Sequence, residues 1–503
     1  MSLRRSIVAN FAGQAWSALI GIAFLPLYIR YLGIEAWGLV GVFAILQAWF
    51  SLLDAGMTSV LTREAARWRA GQSDAQSLRD LLRGTELVFG ALAVAASLAT
   101  MVAAPWVAHE WLGANHLPAS TIAVALTVMA VTACARCLEG VYRGGAIGLD
   151  RQVEVNLVGA VLATVRAVGG VAVLHWLSPT ITAFFTWQLL NSIVSTAWLA
   201  RLVYARLDRR TNAPFSFDAW RTISGFAGGL VGISGLALVL TQLDKVLLSR
   251  LLPLADYGYY TLASTLTGAL AFIVTPISQA YFPRFSELTA PGHRAALTAD
   301  YHAAAQLVTV CAGAVACTLV AFGDVLLGLW FADSAIVDRA GPLLRVLALG
   351  SLFNALMWIP YQLQLAHGQT RLAFVSNVCA ALLVVPALLW SVPRYGAVGG
   401  AWAWVALNAG YLLLAAPRMF RSLLPGERGR WYLQDLAAPL AAGGVAAFVT
   451  RMMWPHPMGR VEAGWVLLTS TALIAGAALL GASTLRAALR QVLWDRTPPV
   501  ASR

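Results

Sequence analysis

Long apolar runs separated by short polar connections dominate this chain. A helix needs about 20 mainly apolar residues to cross a bilayer, and fourteen runs meet that requirement. They lie at 6–31, 36–61, 84–107, 119–142, 153–176, 179–204, 223–250, 257–283, 300–323, 340–366, 371–393, 397–417, 434–454 and 462–484. The pattern predicts an all-α polytopic membrane protein with about 14 transmembrane helices. Residues 324–339 are ambiguous, and an interfacial helix with Trp330 at the membrane boundary is one interpretation that the sequence leaves open.

Two short motifs occur once in each half of the chain. Phe11-Ala-Gly-Gln resembles Phe226-Ala-Gly-Gly, and the segment 32–38 (LGIEAWG) resembles 252–258 (LPLADYG). Six helices followed by six in the same orientation predict two lobes related by an axis along the membrane normal. This is the plan of a transporter, with its site between the lobes near the midplane. The predicted domains are 1–210 (helices 1–6), 211–420 (helices 7–12) and 421–503, which holds two C-terminal helices and a tail.

The composition supports this interpretation. Hydrophobic residues make up 59% of the 503 residues and charged residues only 12%, whereas soluble proteins average about 25% charged residues. A soluble fold cannot bury this much apolar surface, which excludes a soluble enzyme, a disordered scaffold and a disulfide-rich secreted domain. All five cysteines lie within apolar runs and are interpreted as small hydrophobic residues.

The basic residues are distributed unevenly between the two sides of the predicted membrane. With the N-terminus inside, the inner connections and tail hold 25 of the 35 basic residues, and the outer connections hold six. Positive charge favours cytoplasmic loops, so both termini are predicted to be cytoplasmic. The net charge of +12 is therefore explained by topology and requires no nucleic-acid partner.

Four basic residues remain inside the predicted helices: Arg136, Arg166, Lys245 and Arg345. Each costs at least about 2.5–3.5 kcal/mol at a helix centre on insertion scales, so each is a candidate functional residue. Arg166 has no acid within one turn, and we expect it to face a polar cavity. The alternatives are a partner on another helix for Arg166, an ion pair for Lys245, and snorkelling to the outer interface for Arg345.

Three acidic residues inside helices are the candidate titrating groups. Asp54 lies near the inner end of helix two, where anchoring of the helix and a role in transport are both consistent with its position. Glu139 shares a helix face with Arg136 and Arg143 and could pair with either of them. Asp244 precedes Lys245 but points about 100° away from it, so we expect the two side chains to contact different neighbours.

The sequence lacks the residues that several kinds of chemistry require. The single lysine follows Asp244 rather than a glycine, so there is no Walker A loop for ATP. No spacing of His, Cys, Asp and Glu matches a known metal site. No outer connection is long enough to carry the catalytic carboxylates of a glycan polymerase or ligase. We therefore predict no catalytic residues, no metal and no cofactor, although proton or ion coupling stays open.

Two stretches carry a family resemblance. NFAGQAWSALIGIAFLPLYIRYLGIEAWGLVGVFAILQAWFSLLDAGMTSVLTREAARW, beginning at residue 10, resembles the opening of bacterial polysaccharide transporters, and so does TQLDKVLLSRLLPLADYGYYTLASTL, beginning at residue 241. These transporters are the Wzx-type flippases of lipid-linked oligosaccharides, which share a superfamily with multidrug exporters. The resemblance is clearest over about 1–90 and 225–285.

The resemblance implies a V-shaped pair of six-helix lobes with two additional C-terminal helices. It also implies alternating access that moves an undecaprenyl-pyrophosphate-linked repeat unit across the bacterial inner membrane for O-antigen, exopolysaccharide or capsule assembly. Family members have a cation-lined cavity, which Arg136, Arg166, Lys245 and Arg345 could provide here. The implied partners are the lipid-linked saccharide, the bilayer, a polysaccharide polymerase and a chain-length regulator. The alternatives are an ion-coupled exporter, a peptidoglycan-precursor flippase and a membrane-embedded glycan polymerase or ligase.

Overall fold

A computed structural model describes residues 3–54, 57–206, 242–290, 292–331, 333–454 and 459–487. The chain forms two units, Met1–Thr261 and Leu262–Arg503. The first unit extends past the predicted lobe boundary at residue 210, because residues 254–261 pack on its second long helix. The division into three predicted domains stays a prediction.

The described residues of the first unit form helices joined by short connections, with one isolated β-bridge between Gly113 and Pro253. Its helices are α1 (Leu3–Ala23), α2 (Leu25–Leu32), α3 (Ile34–Asp54), α4 (Met57–Arg69), α5 (Ala75–Trp106), α6 (Ala119–Gly148), α7 (Gln152–Ala172), α8 (Ile181–Tyr204), α9 (242–251) and the start of α10 (Leu254–Leu288). Wider π-type turns at Val107–Trp111 and Val173–Leu177 extend α5 and α7. Helix α6 is central, since it packs against α3, α4, α5 and α8.

The second unit contains the rest of α10 and eight further helices in its described residues. These are α11 (Arg294–Trp330), α12 (Ser334–Leu356), α13 (Trp358–Ala366), α14 (Thr370–Gly410), α15 (Ala416–Leu423), α16 (Arg428–Arg430), α17 (Ala438–Met453) and α18 (Arg460–Gly481). A π-type turn at Trp431–Ala437 joins α16 to α17. Helix α11 packs against α12 on one side and against α17 and α18 on the other.

Eleven candidate membrane spans occur among the described residues. Residues Arg371–Leu423 count as one of them, although they contain two of the predicted helices. The predicted seventh helix lies largely in 207–241, outside the described residues. The all-α polytopic fold class is confirmed. Many large apolar side chains on these helices are exposed, including Trp176 and Leu177 at 77% each, as expected where lipid is the solvent.

A kink at Gly396 separates the predicted eleventh and twelfth helices within α14. Gly396 has φ +57°, a conformation that favours glycine. Across the bend the Ser391 hydroxyl donates to the Gly399 carbonyl at 3.2 Å, and a Cβ at Gly399 would lie 2.6 Å from the Ser391 carbonyl oxygen. The sequence-based boundary at 393–397 therefore marks a tight helical hairpin.

The segment 324–339, which the sequence leaves open, does not form a separate helix. Asp324 to Trp330 are the last turns of α11, after a kink at Phe322, where the backbone leaves helical geometry. Ser334 then starts α12, and the Asp333 side chain caps it by accepting from the Ala335 N–H at 2.9 Å. The cap is local and polar, and the apolar pattern alone did not indicate it.

The glycines of the repeated motif form a close, reciprocal helix crossing inside the first unit. A Cβ added at Gly38 would lie 2.5 Å from the carbonyl oxygen of Leu254, and one at Gly258 would overlap the carbonyl oxygen of Ile34. Residues 34 and 38 correspond to 254 and 258 in the repeat. Each copy thus places its glycine against the first helical residue of the other, as a local two-fold relation between the copies requires.

Candidate functional site

Arg136, in the middle of α6, is held inside the first unit by neutral groups alone. Its Nη1 donates to Gln47 Oε1 at 2.7 Å, its Nη2 to Gln188 Oε1 at 3.1 Å and its Nε to Ser192 Oγ at 3.4 Å. The guanidinium carbon also lies 5.1 Å from the centre of the Phe43 ring, a cation–π distance. Among the described residues no acidic side chain forms an ion pair with Arg136, so its positive charge is solvated but not neutralised.

Two neighbouring helices supply these groups through simple helical spacing. Phe43 and Gln47 are four residues apart on α3, and Gln188 and Ser192 are four apart on α8, so each pair shares a helix face. Phe43 is fixed in turn by an edge-to-face contact with Phe185 at 5.0 Å. Because Gln188 and Ser192 are buried, the fork of Arg136 has little freedom to reorient.

Arg136 retains donors for a ligand. A guanidinium carries five N–H groups, and three of them are used in the contacts with Gln47, Gln188 and Ser192. One N–H on each terminal nitrogen has no partner among the described side chains. Two such N–H groups on a planar cation match the oxygen spacing of a phosphate or carboxylate.

Arg166, on α7, adds a second cation close to the first. The two guanidinium groups are near enough to repel each other electrostatically. Within the described part of the chain, the Arg166 side chain makes no hydrogen bond or ion pair. Its backbone is fixed instead, because Trp187 Nε1 donates to the Arg166 carbonyl at 3.0 Å. Asn191, one turn after Trp187 on α8, also holds the backbone of α7, because its side-chain amide donates to the Leu162 carbonyl at 3.3 Å.

The acid nearest to this pair in sequence is neutralised elsewhere. Glu139 accepts from Arg143 at 3.3 Å, one helical turn further along α6. Of the two partners that the sequence allowed for Glu139, the structure pairs it with Arg143, although Glu139 also attracts Arg136 electrostatically. Asp54 is the last residue of α3, and its side chain lies outside the described residues. Among the described side chains, the site built from Arg136 and Arg166 therefore holds two cations and no acid in an ion pair with either of them.

Lys245 and Asp244 lie on α9, near the C-terminal end of the first unit. Lys245 Nζ donates to Gln242 Oε1 at 3.4 Å, and no described carboxylate lies within ion-pair distance of it. Asp244 interacts electrostatically with Lys245 and with the buried Tyr257 and Tyr260 of α10. That the two adjacent side chains contact different neighbours stays a prediction.

Arg345 lies in the second unit and is paired with an acid that the sequence did not identify. Asp324 Oδ2 accepts from Arg345 at 3.5 Å and from Arg451 at 2.6 Å. The two arginines border a cavity of about 600 Å³ between α11, α12 and α17. Arg345 is thus partly neutralised, whereas Arg136 and Arg166 are not.

Sequence reasoning missed most of the groups that hold Arg136, and it missed Asp324 and Arg451. Gln47, Gln188, Ser192 and Phe43 carry no local signal, because their relation to Arg136 exists only across helices. Arg451 lies near the end of α17, and its ion pair with Asp324 on α11 likewise has no local signal. No group of three or more potential metal-ligating side chains occurs among the described residues.

The comparisons with known proteins agree with this architecture. The sequence matches the family described as "Polysaccharide biosynthesis protein" over residues 3–289. The chain belongs to that family. It is 22% identical to a putative O-antigen transporter of Shigella flexneri over 412 residues, which is 80% of this chain and 94% of the relative.

Solved structures of transporters share the fold. An inward closed conformation of the lipid II flippase MurJ matches with a TM-score of 0.72 at 12% identity, covering 96% of this chain and 99% of that one. An inward-facing multidrug transporter of the MATE family matches with a TM-score of 0.64 at 15% identity, covering 80% of this chain and 95% of that one. The chain is a multi-pass membrane protein with the fold of these transporters.

Proposed function

We propose that this protein translocates a polyprenyl-pyrophosphate-linked oligosaccharide across the bacterial inner membrane, for O-antigen, exopolysaccharide or capsule assembly. Family membership and the similarity to a putative O-antigen transporter support this proposal. The observation that carries it is the Arg136 site, which combines an uncompensated cation, two N–H groups without described partners and the neighbouring cation Arg166. A pyrophosphate carries the complementary charge and geometry.

The proposed mechanism follows from this arrangement. Arg136, fixed by Gln47, Gln188 and Ser192, would bind pyrophosphate oxygens at a defined position, and Arg166 would add electrostatic attraction without a competing acid. Binding would neutralise charge that is costly inside a membrane. We propose that this neutralisation favours the change between the inward-facing and the outward-facing states when the substrate is bound.

The same charges argue against the alternative of a small-cation exporter. Such a site needs acidic groups facing the substrate, whereas the only described acid near Arg136 on its helix, Glu139, pairs with Arg143. A peptidoglycan-precursor flippase would use a similar cationic site, and the fold is shared with MurJ. The similarity to a putative O-antigen transporter favours an assembly oligosaccharide as the substrate. We place both termini in the cytoplasm, because 25 basic residues lie on the predicted inner side and six on the outer side.

Arg166→Ala tests this function in cells that depend on the protein for surface glycan. We expect normal amounts of the variant in the membrane, loss of surface glycan and accumulation of the lipid-linked unit on the inner leaflet, because the substrate loses one of its two cations. Glycan is measured by gel staining and the lipid-linked unit by mass spectrometry of extracted lipids. Arg67→Ala, which removes an exposed arginine paired with Glu64 at 3.3 Å, is the control. Wild-type glycan in Arg166→Ala would contradict a role for this cation in transport.

A further inference from the structure

His302 is fully buried on α11 and lies between two carboxylates. Its Nδ1 contacts Asp435 Oδ2, and its Nε2 lies 3.0 Å from Glu427 Oε2. Asp435 is also fully buried and belongs to the π-type turn 431–437, while Glu427 precedes α16. The imidazole therefore links α11 to the segment 424–437, which leads into the last two helices.

Gln306, one turn after His302, completes the cluster. Its Nε2 donates to Asp435 Oδ1 at 2.9 Å and to Thr484 Oγ1 at 3.2 Å, and its Oε1 accepts from the Leu485 N–H at 3.0 Å. Both carboxylate oxygens of Asp435 are thus in use. Two segments distant in sequence, 424–437 and 484–485, are thus attached to α11 at this point by polar side-chain contacts.

The geometry of the cluster requires an additional proton. A neutral imidazole has one N–H donor and one acceptor nitrogen, and an ionised carboxylate only accepts. With neutral His302 and two carboxylates, one of the two contacts would bring two acceptors together. Both contacts are satisfied only if the second ring nitrogen or one carboxyl group is protonated. Either form holds one proton more than neutral histidine with two carboxylates.

Other ionisable groups near the cluster do not replace this proton. Arg430 Nη1 lies 3.8 Å from Glu427 Oε2 and is partly exposed, while the Tyr301 ring packs edge-on against the His302 ring at 5.6 Å. The remaining titratable or charged residues near His302 on the segments that meet here are Arg294, Asp300, Arg428, Tyr432 and Arg486. Asp300 pairs with Arg284 at 3.0 Å, and none of the five forms an ion pair or hydrogen bond with His302 or Asp435 in the described structure. Arg430 supplies positive charge to Glu427 but no donor between His302 and either carboxylate, so the additional proton is still required.

We propose that His302, Asp435 and Glu427 form a proton-binding site whose bound proton fastens the segment 424–437 to α11. When this segment opens, the two contacts that require the additional proton are broken. Where the opened residues do not retain that proton, each opening event releases it, and the opening equilibrium then rises ten-fold per pH unit. The ligand of this site is the proton, and the inference does not depend on the transported substrate.

Hydrogen–deuterium exchange of the purified full-length protein, followed by mass spectrometry, measures this opening directly. After correction for the intrinsic pH dependence of amide exchange, we expect peptides within 424–437 to lose protection as the pH is raised from 6 to 9, with a slope that approaches ten-fold per pH unit. A peptide from the centre of α6 serves as the internal reference. Corrected protection that stays constant from pH 6 to 9 would overturn the proposal.

Glu427→Gln separates a proton site from a merely structural contact. A glutamine at 427 can donate to the Nε2 lone pair while the Nδ1 N–H donates to Asp435, so neutral histidine satisfies both contacts. The variant should therefore stay docked and lose its pH dependence. Glu287→Gln, an exposed acid in the same unit, should keep the wild-type slope.

Asp435→Asn is a second variant that removes the need for the additional proton, in this case at the Nδ1 contact of His302. In it, Nε2 donates to Glu427 and Nδ1 accepts from the new amide, so again no additional proton is needed. Its pH dependence should vanish as well. A wild-type slope in either folded variant would show that the proton is bound elsewhere, and would overturn the assignment.

Discussion

Arg136→Gln leaves the protein in the membrane but lowers transport of the lipid-linked saccharide by roughly 10- to 150-fold, since a charged hydrogen bond contributes about 1.5–3 kcal/mol. The reason is that Arg136 is fixed by Gln47, Gln188 and Ser192 and has no acid to neutralise it. Its charge is therefore available to the pyrophosphate. The measurement is the rate of surface-glycan appearance after induced expression, normalised to the amount of protein in the membrane.

Two further variants show whether this loss comes from the substrate contact or from the fold. Arg143→Gln removes a cation from the same helix, but one that is paired with Glu139, and should transport normally. Arg136→Lys keeps the charge and loses the planar fork, so we expect partial activity. If Arg143→Gln and Arg136→Gln lose equal activity, or if Arg136→Gln transports at the wild-type rate, the proposed site is wrong.

Gly258→Ala lowers the stability of the first unit. Its Cβ would overlap the carbonyl oxygen of Ile34, which is backbone and cannot move aside alone. Overpacking of this kind costs about 1–3 kcal/mol, which corresponds to a decrease of about 2–12 °C in apparent Tm for a unit of this size. Thermal unfolding of the detergent-solubilised protein, followed by tryptophan fluorescence, measures the change.

Gly268→Ala is the matched control for this prediction. Gly268 lies in the same helix α10, and a Cβ there would meet nothing within 4 Å. Alanine is favoured over glycine in a helix by about 1 kcal/mol, so this variant should have an unchanged or slightly raised Tm. An equal decrease in both variants would mean that the loss reflects helix α10 in general and not the crossing with α3.

The helices could be predicted from the sequence because their signal is local. Runs of about 20 apolar residues are required by the thickness of the bilayer, and turn residues such as Gly396 mark where one helix ends. The repeat at Leu32–Gly38 and Leu252–Gly258 predicted two lobes, but it did not predict that the glycine of each copy lies against the first helical residue of the other. The division of 324–339, which the sequence left open, has a local cause, since the end of α11 and the cap of α12 lie within that stretch.

The surroundings of the charged residues could not be predicted in the same way. The sequence identified Arg136 and Arg345 as equivalent candidates, because both are arginines in apolar helices. Their environments differ through residues on other helices, namely Gln47 and Gln188 for Arg136 and Asp324 for Arg345. The His302 cluster was missed for the same reason, since His302 and Asp435 are separated by 133 positions. Pairing across helices depends on packing, which has no pattern in one sequence.

Translocation by the purified protein in proteoliposomes tests the central proposal most directly. A fluorescent polyprenyl-pyrophosphate-linked oligosaccharide is incorporated in both leaflets, and a membrane-impermeant reductant bleaches the label on the outside. We predict that vesicles with the wild-type protein lose the signal of the inner leaflet as well, whereas protein-free vesicles and vesicles with Arg136→Gln retain it. Retention of the inner-leaflet signal in wild-type vesicles with intact, folded protein would contradict the proposed function.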